Sequence, residues 1–331
     1  MNVRRTVLSL VLVAAVFVSD SGCGVFGSYD SNLLEEGGLE KSTIKVSIQQ
    51  ITDLGPFWLA QEDGYFRAEG LDVKSVMADS GQASIGNVIS GRADIAFSSY
   101  ASFFVAKSVG ADLWLVADGT SVSPRSNAIV AAPNSPVRTV NDLAGKKIAI
   151  TAKNTASDIL AKSVMRDRRV SYGAVNWVEM PFLNVAAALQ QGQIDAAYVA
   201  EPYVTIAARV AGAIPVVDIN TGSTQDFPLA GFGSMKTWAQ ENPKTLAAFQ
   251  RAMKKATLEV VNDRSKVEPL LAKYAKIDEG ASKLLTLPGF GSTLDAHRLQ
   301  RVPDLMMLMG VITSPVDAMS MIAPQLTRAE G

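Results

Sequence analysis

"GRADIAFSS" (Gly91–Ser99) recurs 101 residues later as "GQIDAAYVA" (Gly192–Ala200), both following the pattern G-x-x-D-(apolar)-A-(aromatic). Each copy follows an apolar-periodic run, "ASIGNVIS" in the first case and "NVAAALQQ" in the second. Both read as a helix that ends on a glycine able to take positive φ. Asp94 or Asp195 then begins the turn into a short buried strand. Two such helix–strand units predict two similar α/β halves, with the recognised molecule between their strand ends. A chance echo of a common unit is the competing reading, because a repeat this short is weak.

Outward from these copies, the first half alternates strand and helix. "STIKVSIQQ" (Ser42–Gln50) alternates as a strand, and a helix is expected over Trp58–Asp63. A second short helix stops at Gly70, the strand "LDVKSVMA" follows, and "QASIGNVIS" is a helix leading into Gly91. That β-α-β-α-β order predicts a parallel sheet with crossover helices. Further on, Asn127–Ala132 reads as a strand crossing between halves, Lys147–Thr151 as a strand, and "KNTASDILAKSVMRDR" as a helix. "GAVNWVEM" and "IPVVDI" are strands, "YVTIAARVAGA" is a helix, and "FPLAGFGSM" is the return crossing. Beyond Lys236 the chain reads as mostly helical.

The 331 residues suffice for two medium domains, and 48 % hydrophobic with 19 % charged residues fits a packed core rather than disorder. A net charge of −1 gives no nucleic-acid footprint. With one cysteine (Cys23) and one histidine (His297), an internal disulfide is excluded and no metal site is expected. Residues 1–23 read as an export signal: Arg4 and Arg5 precede the apolar "TVLSLVLVAAVFV", and Gly22-Cys23 resembles the end of a bacterial lipobox. Asp20 departs from that pattern, which usually has an aliphatic residue there. Residues 24–41 are a glycine-bearing tether.

"GPFWLAQEDGYFRAEGLDV", "GRADIAFSS", "DLAGKKIAI" and "GQIDAAYVAEPY", in this order, resemble periplasmic solute-binding proteins of ABC importers. The branch is the one for aliphatic sulfonates, taurine and nitrate, with thiamine-precursor binders as relatives. The resemblance runs from about Ser42 to Ala323 and implies the α/β type II periplasmic-binding-protein fold, two lobes joined by a two-strand hinge. Lobe I would comprise residues 42–127 and 231–331, and lobe II residues 128–230. It further implies a monomer that binds a small molecule without a cofactor, acts with permease and ATPase subunits, and is periplasmic or held on the outer face of the cytoplasmic membrane by an acylated Cys23.

A cleft between α/β lobes lies at the carboxyl ends of strands, where helix N-termini offer unpaired N–H groups to an oxyanion. Candidate contacts are therefore Ser80, Gly81 and Gln82 before one helix; Lys153, Asn154 and Thr155 before another; and Gly55, Phe57 and Trp58 at the first. Of Phe57 and Trp58, one is expected to line the cleft and the other the core. Ser99 and Tyr100 end a buried strand, Arg125 and Asn127 flank the hinge, and Glu201 ends the second echo strand. Glu201 sets up a tension, since a carboxylate repels an anion. If it touches the ligand, a donor-bearing molecule such as taurine or an aminopyrimidine is favoured over nitrate; otherwise it serves the hinge.

Catalysis finds little support. Neither G-x-S-x-G nor G-x-x-x-x-G-K-[ST] occurs, and His297 reads as a surface or packing residue. A pyrimidine-synthase-type enzyme would need a histidine and a cysteine-rich stretch within the fold. A tethered ligand sensor is the remaining alternative. "GFGS" occurs at Gly231–Ser234 and Gly289–Ser292, outside the strand–helix context of a nucleotide loop, and reads as turn chemistry.

Overall fold

The computed structural model describes residues 38–324 apart from 276, 278 and 284. Cys23, the expected signal segment and most of the expected tether lie outside the described residues.

The first part of the fold runs β1 (Thr43–Ile48), α1 (Gly55–Glu62), α2 (Tyr65–Ala68), β2 (Asp72–Met77), α3 (Gly81–Ile89), β3 (Ile95–Ser99), α4 (Tyr100–Ser108) and β4 (Leu113–Ser121). The chain then crosses into β5 (Asn127–Ala131), β6 (Lys147–Ile150), α5 (Ala156–Asp167), β7 (Asn176–Glu179), α6 (Phe182–Gln190), β8 (Ala196–Ala200), α7 (Tyr203–Ala211) and β9 (Ile214–Asp218). It returns through β10 (Pro228–Met235) to α8 (Lys236–Glu241), α9 (Pro243–Asn262), α10 (Glu268–Ala275), α11 (Glu279–Ser282), β11 (Gly289–Phe290) and α12 (Ala296–Leu308).

The strands form two sheets, ordered β11-β4-β10-β3-β1-β2 and β7-β6-β8-β5-β9. In the first, β2, β1 and β3 are parallel and β10 and β4 follow antiparallel to their neighbours. In the second, β7, β6 and β8 are parallel, with β5 and β9 in the matching antiparallel places. The lobes are thus topological copies that have exchanged one strand each: β5 follows lobe I in the chain but sits in sheet two, and β10 does the reverse. Pro228–Ala230, expected in lobe II, belong to the first sheet because they pair with Ser121, Thr120 and Ser99.

The sequence echo has a structural cause. Gly91 and Gly192 adopt φ of +72° and +67° at the ends of α3 and α6, so each helix stops without a Cβ penalty. Asp94 Oδ2 then accepts from Lys45 N at 2.7 Å while Asp94 N donates to Lys45 O at 2.8 Å. Asp195 repeats the clamp on Lys147, both bonds at 2.8 Å. Each aspartate therefore fixes the register of its strand against the neighbouring parallel strand, β3 against β1 and β8 against β6. The two lie in separate sheets, at the strand starts and away from the cleft.

Two segments, residues 122–126 and 219–227, join the lobes and pair with one another. Val122 N donates to Phe227 O at 2.9 Å, and Arg125 N donates to the Asp218 carboxylate at 3.1 Å. Arg125 itself takes φ +64° and faces solvent. Thr52 N and Oγ1 both donate to Glu201 O, at 3.3 and 3.1 Å, adding a third tie between lobes.

Lobe I carries the larger core. Phe57, Phe66, Phe97, Phe232 and Phe249 form a connected ring cluster with centroids 5.0–6.1 Å apart. Such pairs contribute about 1 kcal/mol each beyond burial. The first "GFGS" lies inside β10 and not in a turn: a Cβ on Gly231 or Gly233 would collide with the rings of Tyr100 or Phe103. The glycines let α4 lie directly on the strand. Asp118, buried under this layer, accepts from the Tyr100 hydroxyl, Gly119 N and Arg298, tying α12 to β4. At the other edge Leu39 packs on the core, and the Glu40 carboxylate accepts from Lys244 N and Thr245 N at the start of α9. The end of the expected tether is thereby docked on lobe I.

Candidate functional site

A cavity of about 510 Å³, its mouth included, lies between the lobes. Lobe I supplies Gln49, Ile51, Asp53, Gly81, Phe97, Ser99 and Ser102; lobe II supplies Thr151, Thr155, Ala156, Ser157, Phe182, Tyr198 and Ala200. Asn127, Leu229 and Ala230 form the hinge-side wall. The parallel strands β1, β3, β6 and β8 end at it, as sheets of this kind require. Phe97 and Tyr198, the aromatic positions of the echoed pattern, both line the cavity, one from each lobe.

Four helices, α3, α4, α5 and α6, begin at this wall, contributing Gly81, Ser99, Ala156 and Phe182. Every helix start leaves N–H groups without intrahelical acceptors and carries about half a positive charge. On lobe I, Ser80 and Ser99 cap their own helices, accepting from Ala83 N and Ser102 N at 3.1 Å. On lobe II neither Thr155 nor Pro181 gives a side-chain cap. The Thr155 hydroxyl instead donates to Ala152 O at 2.8 Å and lies 2.8 Å from Ser157 Oγ, which is 2.8 Å from Thr151 Oγ1. This arrangement leaves a hydroxyl cluster over an uncapped helix start, suited to receiving an oxyanion.

Among the described residues, lysine, arginine and histidine are all missing from the lining. Its carboxylate is Asp53, 6 % exposed, whose Oδ2 accepts from Thr120 Oγ1 at 2.7 Å. Burial pushes the Asp53 carboxyl up to about 6, although the Thr120 hydrogen bond acts in the opposite direction. Tyr198 is raised too, by burial first and by the charge of Asp53 second. Its hydroxyl accepts from Asn127 Nδ2 at 3.0 Å, which leaves the phenol proton free to donate.

Of the residues singled out in the sequence, Gly81, Ser99, Asn127 and Thr155 line the cavity. Gln82 and Lys153 meet each other instead: Gln82 Nε2 donates to Lys153 O at 2.9 Å, so the lips touch across the mouth. The Lys153 side chain is exposed. Asn154 takes φ +60° and donates to Asp158, outside the lining. Phe57 and Trp58 both point into the core, Phe57 into the ring cluster and Trp58 stacked on Tyr274 at 5.0 Å, because α1 is buried on both of their faces. Gly55 is packed on Val267, and Tyr100 is committed to Asp118. Glu201 turns away from the cavity: its carboxylate accepts from Thr205 N and Oγ1 at 3.0 and 2.9 Å, capping α7. Burial raises its pKa against the lowering effect of those bonds. His297 is exposed on α12.

Sequence reading missed Asp53, Thr151, Ser157, Phe182 and Tyr198. Tyr198 was legible in principle, as the aromatic of the second echo. Asp53 stood between Thr52 and Leu54 just after the first strand, but only the fold shows that this turn faces inward. Beyond the cavity, Gln49, Ile51 and Phe182 continue into an outer recess flanked by Met77 and Leu183, 54 % and 74 % exposed, one from each lobe.

The profile of the family described as NMT1/THI5 like matches residues 51–266. A putative aliphatic sulfonates-binding protein of Bacillus subtilis is 28 % identical over 258 residues, covering 75 % of this chain and 72 % of that protein. Among solved structures, the alkanesulfonate-binding protein of Xanthomonas axonopodis pv. citri, bound to MOPS, superposes with TM-score 0.74 at 19 % identity over 86 % of this chain and 99 % of that one. The periplasmic nitrate-binding protein of Synechocystis PCC 6803 gives 0.72 at 16 % identity, covering 85 % of each. The fold is accordingly that of periplasmic binding proteins, as the resemblance implied, and these relatives are named for binding rather than for catalysis.

Proposed function

The chain belongs to the NMT1/THI5-like family, and on that premise we propose that it is the exported solute-binding component of an ABC importer, capturing a small oxyanion, an alkanesulfonate before nitrate. The observation that carries this reading is the uncapped start of α5 beneath the hydroxyls of Thr151, Thr155 and Ser157, inside a cleft walled by both lobes. Neutral donors and helix starts hold an anion without a counter-charge. Ligand touching both lobes favours the closed form by its differential affinity. The closed form then docks on a membrane permease that works with an ATPase subunit, and an acylated Cys23 keeps the protein at the membrane face.

Isothermal titration with alkanesulfonates and nitrate tests this reading. One-to-one binding without turnover, accompanied by a smaller radius of gyration in solution scattering, is the expected result. Turnover of the ligand, or no binding of any oxyanion, refutes it. Replacing Cys23 by Ala should move the protein from the membrane to the soluble fraction; unchanged partitioning rejects the anchor. A second reading, a thiamine-precursor aminopyrimidine as ligand, is favoured by Asp53 as an acceptor beside the Phe182–Tyr198 ring pair, 6.4 Å between centroids and inclined by 22°.

A further inference from the structure

Asp53 is the feature of the cavity that an oxyanion alone does not explain. It is 94 % buried, lines the ligand space, and forms no ion pair among the described residues. Thr120 bonds to one carboxylate oxygen, and among the described residues the surrounding lining carries no basic side chain. A buried carboxylate without a cation is costly, and such groups are normally paired. The other titratable group at the cavity, Tyr198, is neutral at working pH. A tie to Thr120 would be served equally by asparagine, so a structural role does not require the charge.

We propose that Asp53 is a specificity-determining residue that selects ligands bearing a protonated amine, so that the cargo is dipolar, with its cation on lobe I at Asp53 and its oxyanion on lobe II at the start of α5. This rests on the oxyanion reading above for one end of the ligand and on Asp53 for the other. The arrangement also discriminates: a plain anion of the same length meets the Asp53 charge unpaired, whereas the amine neutralises it. An aminoalkanesulfonate has the required chemistry.

The test is calorimetric titration of the ligand-stripped full chain and of Asp53→Asn at pH 7.5, with matched probes. Taurine and 3-aminopropanesulfonate are compared with ethanesulfonate and propanesulfonate, and propylamine and 4-aminopyrimidine serve as probes without an oxyanion. Expected is at least tenfold tighter binding of each aminosulfonate than of its amine-free counterpart, closing to within about twofold in Asp53→Asn. Equal or tighter binding of the amine-free sulfonates to the parent protein refutes the role of Asp53 and leaves the oxyanion reading standing. Binding of propylamine or 4-aminopyrimidine that is lost in Asp53→Asn, with no sulfonate bound, keeps Asp53 and overturns the oxyanion reading. No binding of any probe overturns both, and a preference for amines that survives in Asp53→Asn assigns the amine to another group.

Discussion

Replacing Asp53 by Asn should stabilise the ligand-free protein, and only above mildly acidic pH. Asn Oδ1 can keep the Thr120 bond of 2.7 Å, so the substitution removes charge and little else. Burial raises the carboxyl from 3.8 to about 6 in the folded state. The native protein therefore holds this proton more tightly than the unfolded chain. The contribution is full below pH 3.8 and is lost as pH rises through 6. At 1.36 kcal/mol per pKa unit, the ionised group costs the fold about 3 kcal/mol at pH 7 and above. An amide hydrogen left without a partner takes back about 1 kcal/mol, so a net gain of about 2 kcal/mol remains. At about 2 °C per kcal/mol for a chain of this size, Tm should rise by roughly 4 °C at pH 7.5. At pH 4 the variant should show no gain. Calorimetric melting of both proteins from pH 4 to 8 measures this directly. A variant no more stable than the parent at pH 7.5, or an offset independent of pH, would refute the argument that Asp53 is buried without compensation.

Other consequences follow from single contacts. Gln82→Ala removes the 2.9 Å bond to Lys153 O across the lips and should speed ligand release about fivefold, about 1 kcal/mol, read by stopped-flow dissociation with little change in Tm. Arg298→Met leaves Asp118 buried without its cation and should cost about 3 kcal/mol in chemical denaturation, while ligand stoichiometry is unchanged. Gly231→Ala drives a Cβ into the Tyr100 ring and should cost about 2 kcal/mol, with Gly173→Ala, whose side chain meets only Ser171 at 3.9 Å, as the neutral control.

Local chemistry determined much of the architecture. The two G-x-x-D stretches encode a helix stop and a register clamp that need only a glycine, an aspartate and the neighbouring strand's backbone, so the doubled lobe was readable from sequence. The alternation of strands and helices followed from periodicity, and Ser80 as a cap followed from residue type, whereas Ser99, read as a strand end, caps α4 in the structure. Which polar groups face the ligand space was decided elsewhere. Glu201 and Asp53 are both acids next to an apolar residue, yet one caps a helix and the other lines the cavity. Lys153 looked like an anion ligand, but its backbone closes the mouth while its side chain meets water. The exchange of β5 and β10 between sheets brings together residues 67 to 139 positions apart. Pairing at that range depends on how two complete lobes dock, which no local pattern of residues records.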